Sequence, residues 1–91
     1  MSKPSIQSTD QTLKVKVLSP NKVYFDGEAT SLSATNNVGK FDILPEHHNF
    51  ITLLTTGDIV IKLPTNDEEK FTVSGGLLRI KSNVVSVFLD I

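Results

Sequence analysis

From Leu13 onward hydrophobic and polar residues alternate with a period of two: Leu13, Val15 and Val17 fall on one side of an extended chain, Lys14 and Lys16 on the other. Successive side chains of a strand point to opposite faces, so the pattern predicts a half-buried β-strand. Ser19-Pro20-Asn21 breaks it. Val23 and Phe25 predict a second strand that stops at Asp26-Gly27, a dipeptide suited to positive φ and therefore to a hairpin turn. Leu32 and Ala34 then alternate with Ser31, Ser33 and Thr35, and Asn36-Asn37-Val38-Gly39 predicts a turn into a strand holding Phe41 and Ile43.

After Pro45 comes the polar stretch Glu46-His47-His48-Asn49, and then the short apolar run Phe50 to Leu54, in which Ile51 and Thr52 favour strand. Thr55-Thr56-Gly57-Asp58 predicts a turn. Ile59, Ile61 and Leu63 predict a strand closed by Pro64-Thr65-Asn66-Asp67. Asp67-Glu68-Glu69-Lys70 reads as a solvated charged loop leading into a strand at Phe71 and Val73. Leu77 to Lys81 and Val84 to Leu89 form a last hairpin across Ser82-Asn83. No segment carries a helical period, and so many short strands with turns roughly every eight to twelve residues predict an antiparallel sandwich or flattened barrel.

Composition narrows the functional classes. At 91 residues the chain is one domain. Nine basic against ten acidic residues, a net charge of −1, give no electrostatic footprint for nucleic acid or for an anionic membrane surface, so the predicted partners are proteins. The chain has no Cys, hence neither a disulfide framework nor a thiolate metal site, which fits a reducing compartment. Its longest apolar runs fall far short of the ~18 residues of a membrane span. Residues 1–12, with Ile6 isolated among polar neighbours, read as a flexible tail ahead of a domain at 13–91.

Candidate chemistry is thin. His47-His48 beside Glu46 and Asp42 has the donor types of a zinc or iron site, but adjacent residues on a strand diverge and a turn offers only two imidazoles. No nucleophile such as Ser74 is placed against His47 by any spacing. Ser74-Gly75-Gly76 is not followed by a helix whose amides could hold a phosphate; the glycines mark a bulge or a corner passed closely by another backbone. Lys14, Lys16 and Lys22 read as the solvated face and end of an edge strand. Phe41, Ile43, Leu44 and Pro45, apolar and beside a loop, are either core or a surface for another protein.

Two strings in order carry a resemblance: Gly39-Lys40-Phe41-Asp42-Ile43-Leu44-Pro45-Glu46-His47, and Phe71-Thr72-Val73-Ser74-Gly75-Gly76-Leu77-Leu78. Together with the strand Leu13 to Ser19, Val23 to Ala29, the stretch around Gly57, and Asn83 to Val87, they make residues 13–91 resemble the N-terminal β-sandwich of the epsilon subunit of F-type ATP synthase, called delta in mitochondria. The resemblance implies an all-β, two-sheet antiparallel sandwich of about ten short strands. It also implies a non-catalytic subunit of the central stalk, one copy per complex and a monomer when isolated, that joins the gamma subunit to the c-ring without entering the membrane. Gly39, Lys40, Phe41, Asp42, Ile43, Leu44, Pro45 and His47 would meet those partners. No cofactor is implied, and the expected location is the cytoplasmic face of a bacterial inner membrane. The alternative is a free-standing sandwich that binds a ligand or another protein.

The chain departs from the family pattern in three places. Lys40 stands where many members carry an acidic residue facing a basic ring loop, so Asp42 or Glu46 would have to replace it. His48-Asn49 stands where Ala-Pro is common. Many members also continue into a C-terminal pair of helices that can inhibit ATP hydrolysis, and with Ile91 closing the sandwich those helices are expected to be missing.

Overall fold

A computed structural model describes residues 12–90, which hold nine strands: β1 (Leu13–Ser19), β2 (Lys22–Ala29), β3 (Ser31–Asn36), β4 (Gly39–Ile43), β5 (Phe50–Leu54), β6 (Gly57–Lys62), β7 (Glu68–Val73), β8 (Gly76–Lys81) and β9 (Val84–Leu89). They hydrogen-bond in the order β2-β1-β9-β8-β5-β3-β6-β7, with β4 joined to β3 off that path. All pairings are antiparallel except β1 with β9, which run parallel from Lys14↔Val84 to Leu18↔Phe88. A parallel neighbour needs a long crossover, and the chain from β2 to β8 supplies it. The nine strands of the described residues agree with the expected all-β class and with a count of about ten.

The sheet curls on itself. β5 and β3 share only the pair Asn36↔Leu54, with the Thr55 amide donating to the Thr35 carbonyl (3.0 Å), so the sheet turns a corner there. Its halves enclose one core drawn from all nine strands, and among the described residues that core contains no buried polar or charged side chain. Where the outermost strands approach, the Tyr24 ring of β2 meets the Phe71 ring of β7 edge to face, with centroids 6.1 Å apart. Burying one such Val, Leu or Ile is worth about 1.5–3 kcal/mol, so the inward parity of each strand fixes its register. Leu13, Val15 and Val17, at most 1% exposed, show the predicted parity directly.

Several local expectations fail for identifiable reasons. Asp26-Gly27 is not a turn: it lies inside β2, paired Asp26↔Lys16 and Gly27↔Val15, with the Phe25 ring over the glycine. The turn is Pro20-Asn21, because Pro presets φ and the pair Ser19↔Lys22 closes around it. Glu68, Glu69 and Lys70 are not a loop but the start of β7, paired with Lys62, Ile61 and Val60. β7 ends the strand order, and an edge carrying charges resists adding another chain. Its ion pair, Lys70 Nζ to Asp58 Oδ2 at 3.6 Å, is exposed and so adds little stability. Nor is β1 an edge strand: it lies between β2 and β9, and Lys14 and Lys16 stand on its outer face. The tail expected at 1–12 lies outside the described residues up to 11; Thr12 is described, its hydroxyl donating to Glu28 Oε1 at 3.3 Å.

Other turns form as predicted. Asn36 Oδ1 accepts from the Val38 and Gly39 amides (2.9 and 3.2 Å), and Gly39 takes φ +142°. Ser82 and Asn83 adopt φ +52° and +65°, the paired left-handed values of a two-residue hairpin turn. Gly76 sits under a passing backbone, as the Gly-Gly pair suggested. A Cβ there would lie 2.6 Å from the Phe88 carbonyl oxygen.

Candidate partner-binding site

Strand pleat divides the string Gly39 to His47 between two faces. In β4, Phe41 pairs with Ala34 and Ile43 with Leu32, facing inward, while Lys40 and Asp42 pair with Thr35 and Ser33 and face out. Ile43 is fully buried, so it anchors the string to the core and offers nothing to a partner. Phe41 is half-buried and packs edge to face on Phe50 at 6.1 Å. Leu44, at 58% exposure, is the apolar side chain of the string that faces solvent.

Past Leu44 the chain makes a tight turn, with the His47 amide donating to the Leu44 carbonyl (3.1 Å) and Glu46 at φ +72°. The imidazoles do not converge on a common point, as a metal site would require. The His47 and His48 rings stack at 4.5 Å, both lie against Phe50, and His47 Nδ1 is 2.8 Å from the His48 carbonyl oxygen. His47 is a packing residue of an aromatic cluster that includes Phe41. Among the described residues no three His, Cys, Asp or Glu side chains gather in a metal-binding group.

Two long-range bonds tie this turn to the β8–β9 hairpin. The Glu46 amide donates to Asn83 Oδ1 at 2.7 Å, and the Ser82 amide donates to Asn49 Oδ1 at 2.9 Å. A short turn carrying exposed Leu44 and Glu46 is thereby held in one shape by a second turn distant in sequence. Asn83→Gly preserves the positive φ but removes the acceptor, so it is expected to cost about 1 kcal/mol and to strip the Glu46 amide of hydrogen-exchange protection. Thermal melts with amide exchange check both.

Of the carboxylates that might stand in for an acid at Lys40, Asp42 accepts a hydrogen bond from the Ser33 hydroxyl (2.5 Å) and Glu46 lies 3.5 Å from Asn83 Nδ2. Both are exposed, and Lys40 beside them is exposed too. The string thus presents Lys40, Asp42, Leu44 and Glu46 outward, with Phe41, Ile43 and His47 behind them.

Sequence reasoning missed a second surface. Ile51 and Leu53 of β5 and Phe88 of β9 are 62%, 70% and 45% exposed. The signal was present: from Leu13 to Val17 β1 is apolar at one parity only, whereas β5 runs Phe50-Ile51-Thr52-Leu53-Leu54, with apolar residues at both. A strand with two apolar faces has two faces to cover.

Fold and surface together define an all-β sandwich module with a rigid turn at one end and an apolar patch on one outer face. Residues 12–91 match the family model for the ATP synthase delta/epsilon chain, beta-sandwich domain. The chain belongs to that family. It is 35% identical over 79 residues to the ATP synthase epsilon chain of Stenotrophomonas maltophilia, and 34% identical over 79 residues to that of Xanthomonas euvesicatoria. Each alignment covers 87% of this chain but 56% of the relative, so the chain spans little more than half the length of the curated relatives it matches. Two solved assemblies share the fold: a chain of the Euglena gracilis mitochondrial ATP synthase (TM-score 0.82, 14% identity, 87% of this chain and 51% of that one) and one of the Tetrahymena thermophila mitochondrial central stalk and c-ring (TM-score 0.74, 22% identity, 89% and 65%). At those identities the likeness speaks for fold alone.

Proposed function

We propose that this chain is a non-catalytic rotor subunit of an F-type ATP synthase, holding the gamma subunit to the c-ring so that the two turn together. The observation that carries the reading is the end of the molecule around Leu44. There an exposed leucine and flanking charges sit on a turn fixed by the Asn83 and Asn49 side chains, above a core with no buried polar or charged side chain among the described residues. Torque transfer asks for a stiff body with well-shaped protein contacts, and close packing supplies the stiffness. The side chain with the most catalytic promise, His47, is committed to stacking on His48 and Phe50.

In this reading Lys40, Asp42, Leu44, Pro45 and Glu46 meet the partners, while Gly39, Phe41, Ile43 and His47 shape the surface from behind. Exposed charge pairs are worth at most about 1 kcal/mol, so the apolar contact at Leu44 outweighs the exchange of an acid for Lys40. The same reading has the subunit peripheral, on the cytoplasmic side of the membrane. Affinity-tagged chain expressed in its own source is expected to co-purify with gamma and the c-ring from detergent-solubilised membranes. Recovery of the tagged chain alone would sink the proposal.

A further inference from the structure

Strand register aligns the exposed apolar residues into a continuous row. Leu53 pairs with Leu77, Leu77 with Phe88, Phe88 with Leu18, and Leu18 with Val23, so the row crosses β5, β8, β9, β1 and β2 on the outer face. Leu53, Phe88 and Val23 are 70%, 45% and 58% exposed. With four strand spacings the row is about 19 Å long. On the next outward positions, about 7 Å along the strands, Arg79 pairs with Ser86 and Ser86 with Lys16; one outward position further, about 13 Å from the row, Lys81 and Lys14 both pair with Val84. Asp26 and Glu28 of β2 face Lys16 and Lys14, so the cationic excess of this face lies over β8 at Arg79 and Lys81. None of these charges forms an ion pair among the described residues. Shallow clefts groove the face across the strands: one lined by Arg79, Lys81, Val84 and Ser86, the other by Lys14 and Lys16 together with the acidic Asp26 and Glu28.

We infer that this face docks an amphipathic helix of a partner protein, its apolar stripe on the row from Leu53 to Val23 and its acidic flank over Arg79 and Lys81. The inference rests on the reading of the chain as a subunit held by other proteins. A sheet face, unlike a sheet edge, offers its occupant no backbone hydrogen bonds, so the occupant must satisfy its own, as a helix does. A helix of about 13 residues matches the length of the row, and its diameter of roughly 10–12 Å covers the apolar row and Arg79, with Lys81 at its margin within reach of a long acidic side chain. Carboxylates complement the unpaired cations, while a basic helix would be repelled.

The test uses the purified, isotope-labelled chain and two synthetic helical peptides of about 18 residues with the same leucine stripe, one flanked by glutamate and one by lysine. The glutamate peptide is expected to shift the amides of Leu18, Leu53, Leu77, Arg79 and Phe88 in NMR spectra and to bind at least tenfold more tightly than the lysine peptide. Affinity should fall about tenfold in R79E/K81E and in L53D, whose exposed sites spare the fold, and should weaken with added salt. Equal binding of the two peptides, shifts on another face, or indifference to R79E/K81E would each overturn the inference. Because co-purification with gamma and the c-ring is scored separately, a failed peptide experiment with intact co-purification refutes this inference and leaves the rotor reading standing.

Discussion

Gly76→Ala is expected to lower the melting temperature by roughly 8–16 °C, while Gly75→Ala, one residue earlier, is expected to leave it unchanged or slightly raised. Replacing glycine by alanine ordinarily gains about 0.4–1 kcal/mol by restricting the unfolded chain, and neither site has the positive φ that would forfeit that gain. Surroundings separate them. A Cβ on Gly75 would come within 3.0 Å of one oxygen of the exposed Asp90 carboxylate, the end of a side chain that can swing aside. On Gly76 it would lie 2.6 Å from the Phe88 carbonyl oxygen and 3.3 Å from Leu89 Cα. Those are backbone atoms of β9, a strand hydrogen-bonded to both β8 and β1. Displacing it costs about 2–3 kcal/mol in the manner of an overpacked core, which exceeds the entropic gain. Thermal or urea melts of the two variants decide; equal midpoints would contradict the close approach.

Ile43 and Leu44, adjacent in sequence, are expected to fail in opposite ways. Ile43 is fully buried and packs among core residues, so Ile43→Ala removes apolar area and leaves a cavity, a loss of about 2–5 kcal/mol. Domains of this size hold roughly 5–10 kcal/mol in total, so half the stability goes with one side chain. Leu44→Asp, at a site 58% exposed, should change stability by less than about 1 kcal/mol. It should nonetheless release the chain from gamma and the c-ring in the co-purification assay, because an exposed apolar anchor is lost and a charge put in its place. If Leu44→Asp unfolds the isolated domain, or binds its partners as well as the parent chain does, the division between anchor and contact is wrong.

That division marks the limit of what the sequence made legible. Alternation in β1 and the turn chemistry of Asn36 to Gly39 and Ser82-Asn83 were readable because local rules and tertiary packing agree there. Asp26-Gly27 misled because its turn propensity is a local preference, and pairing with Lys16 and Val15 across a full strand outweighs it. The charged stretch Glu68 to Lys70 misled in the opposite sense, since edge strands tolerate the charges that loops also favour. For the site, the string Gly39 to His47 was visible as a unit, but which of its members face outward depends on the register of β4 against β3. The outer row from Leu53 to Val23 was legible only in part: the two apolar faces of β5 announce it, but its five residues come from five strands, and only their pairing puts them side by side.

Whether this chain joins a rotor stalk to its ring is tested most directly by cross-linking mass spectrometry of the ATP synthase purified from the membranes of its own source. Lys40, exposed on the same string as Leu44, supplies a reactive amine at the proposed contact. The predicted result is a set of cross-links from this chain to gamma, with at least one from Lys40 to gamma or to a ring subunit. A purified synthase that lacks the chain, or contains it without links to either partner, would contradict the account.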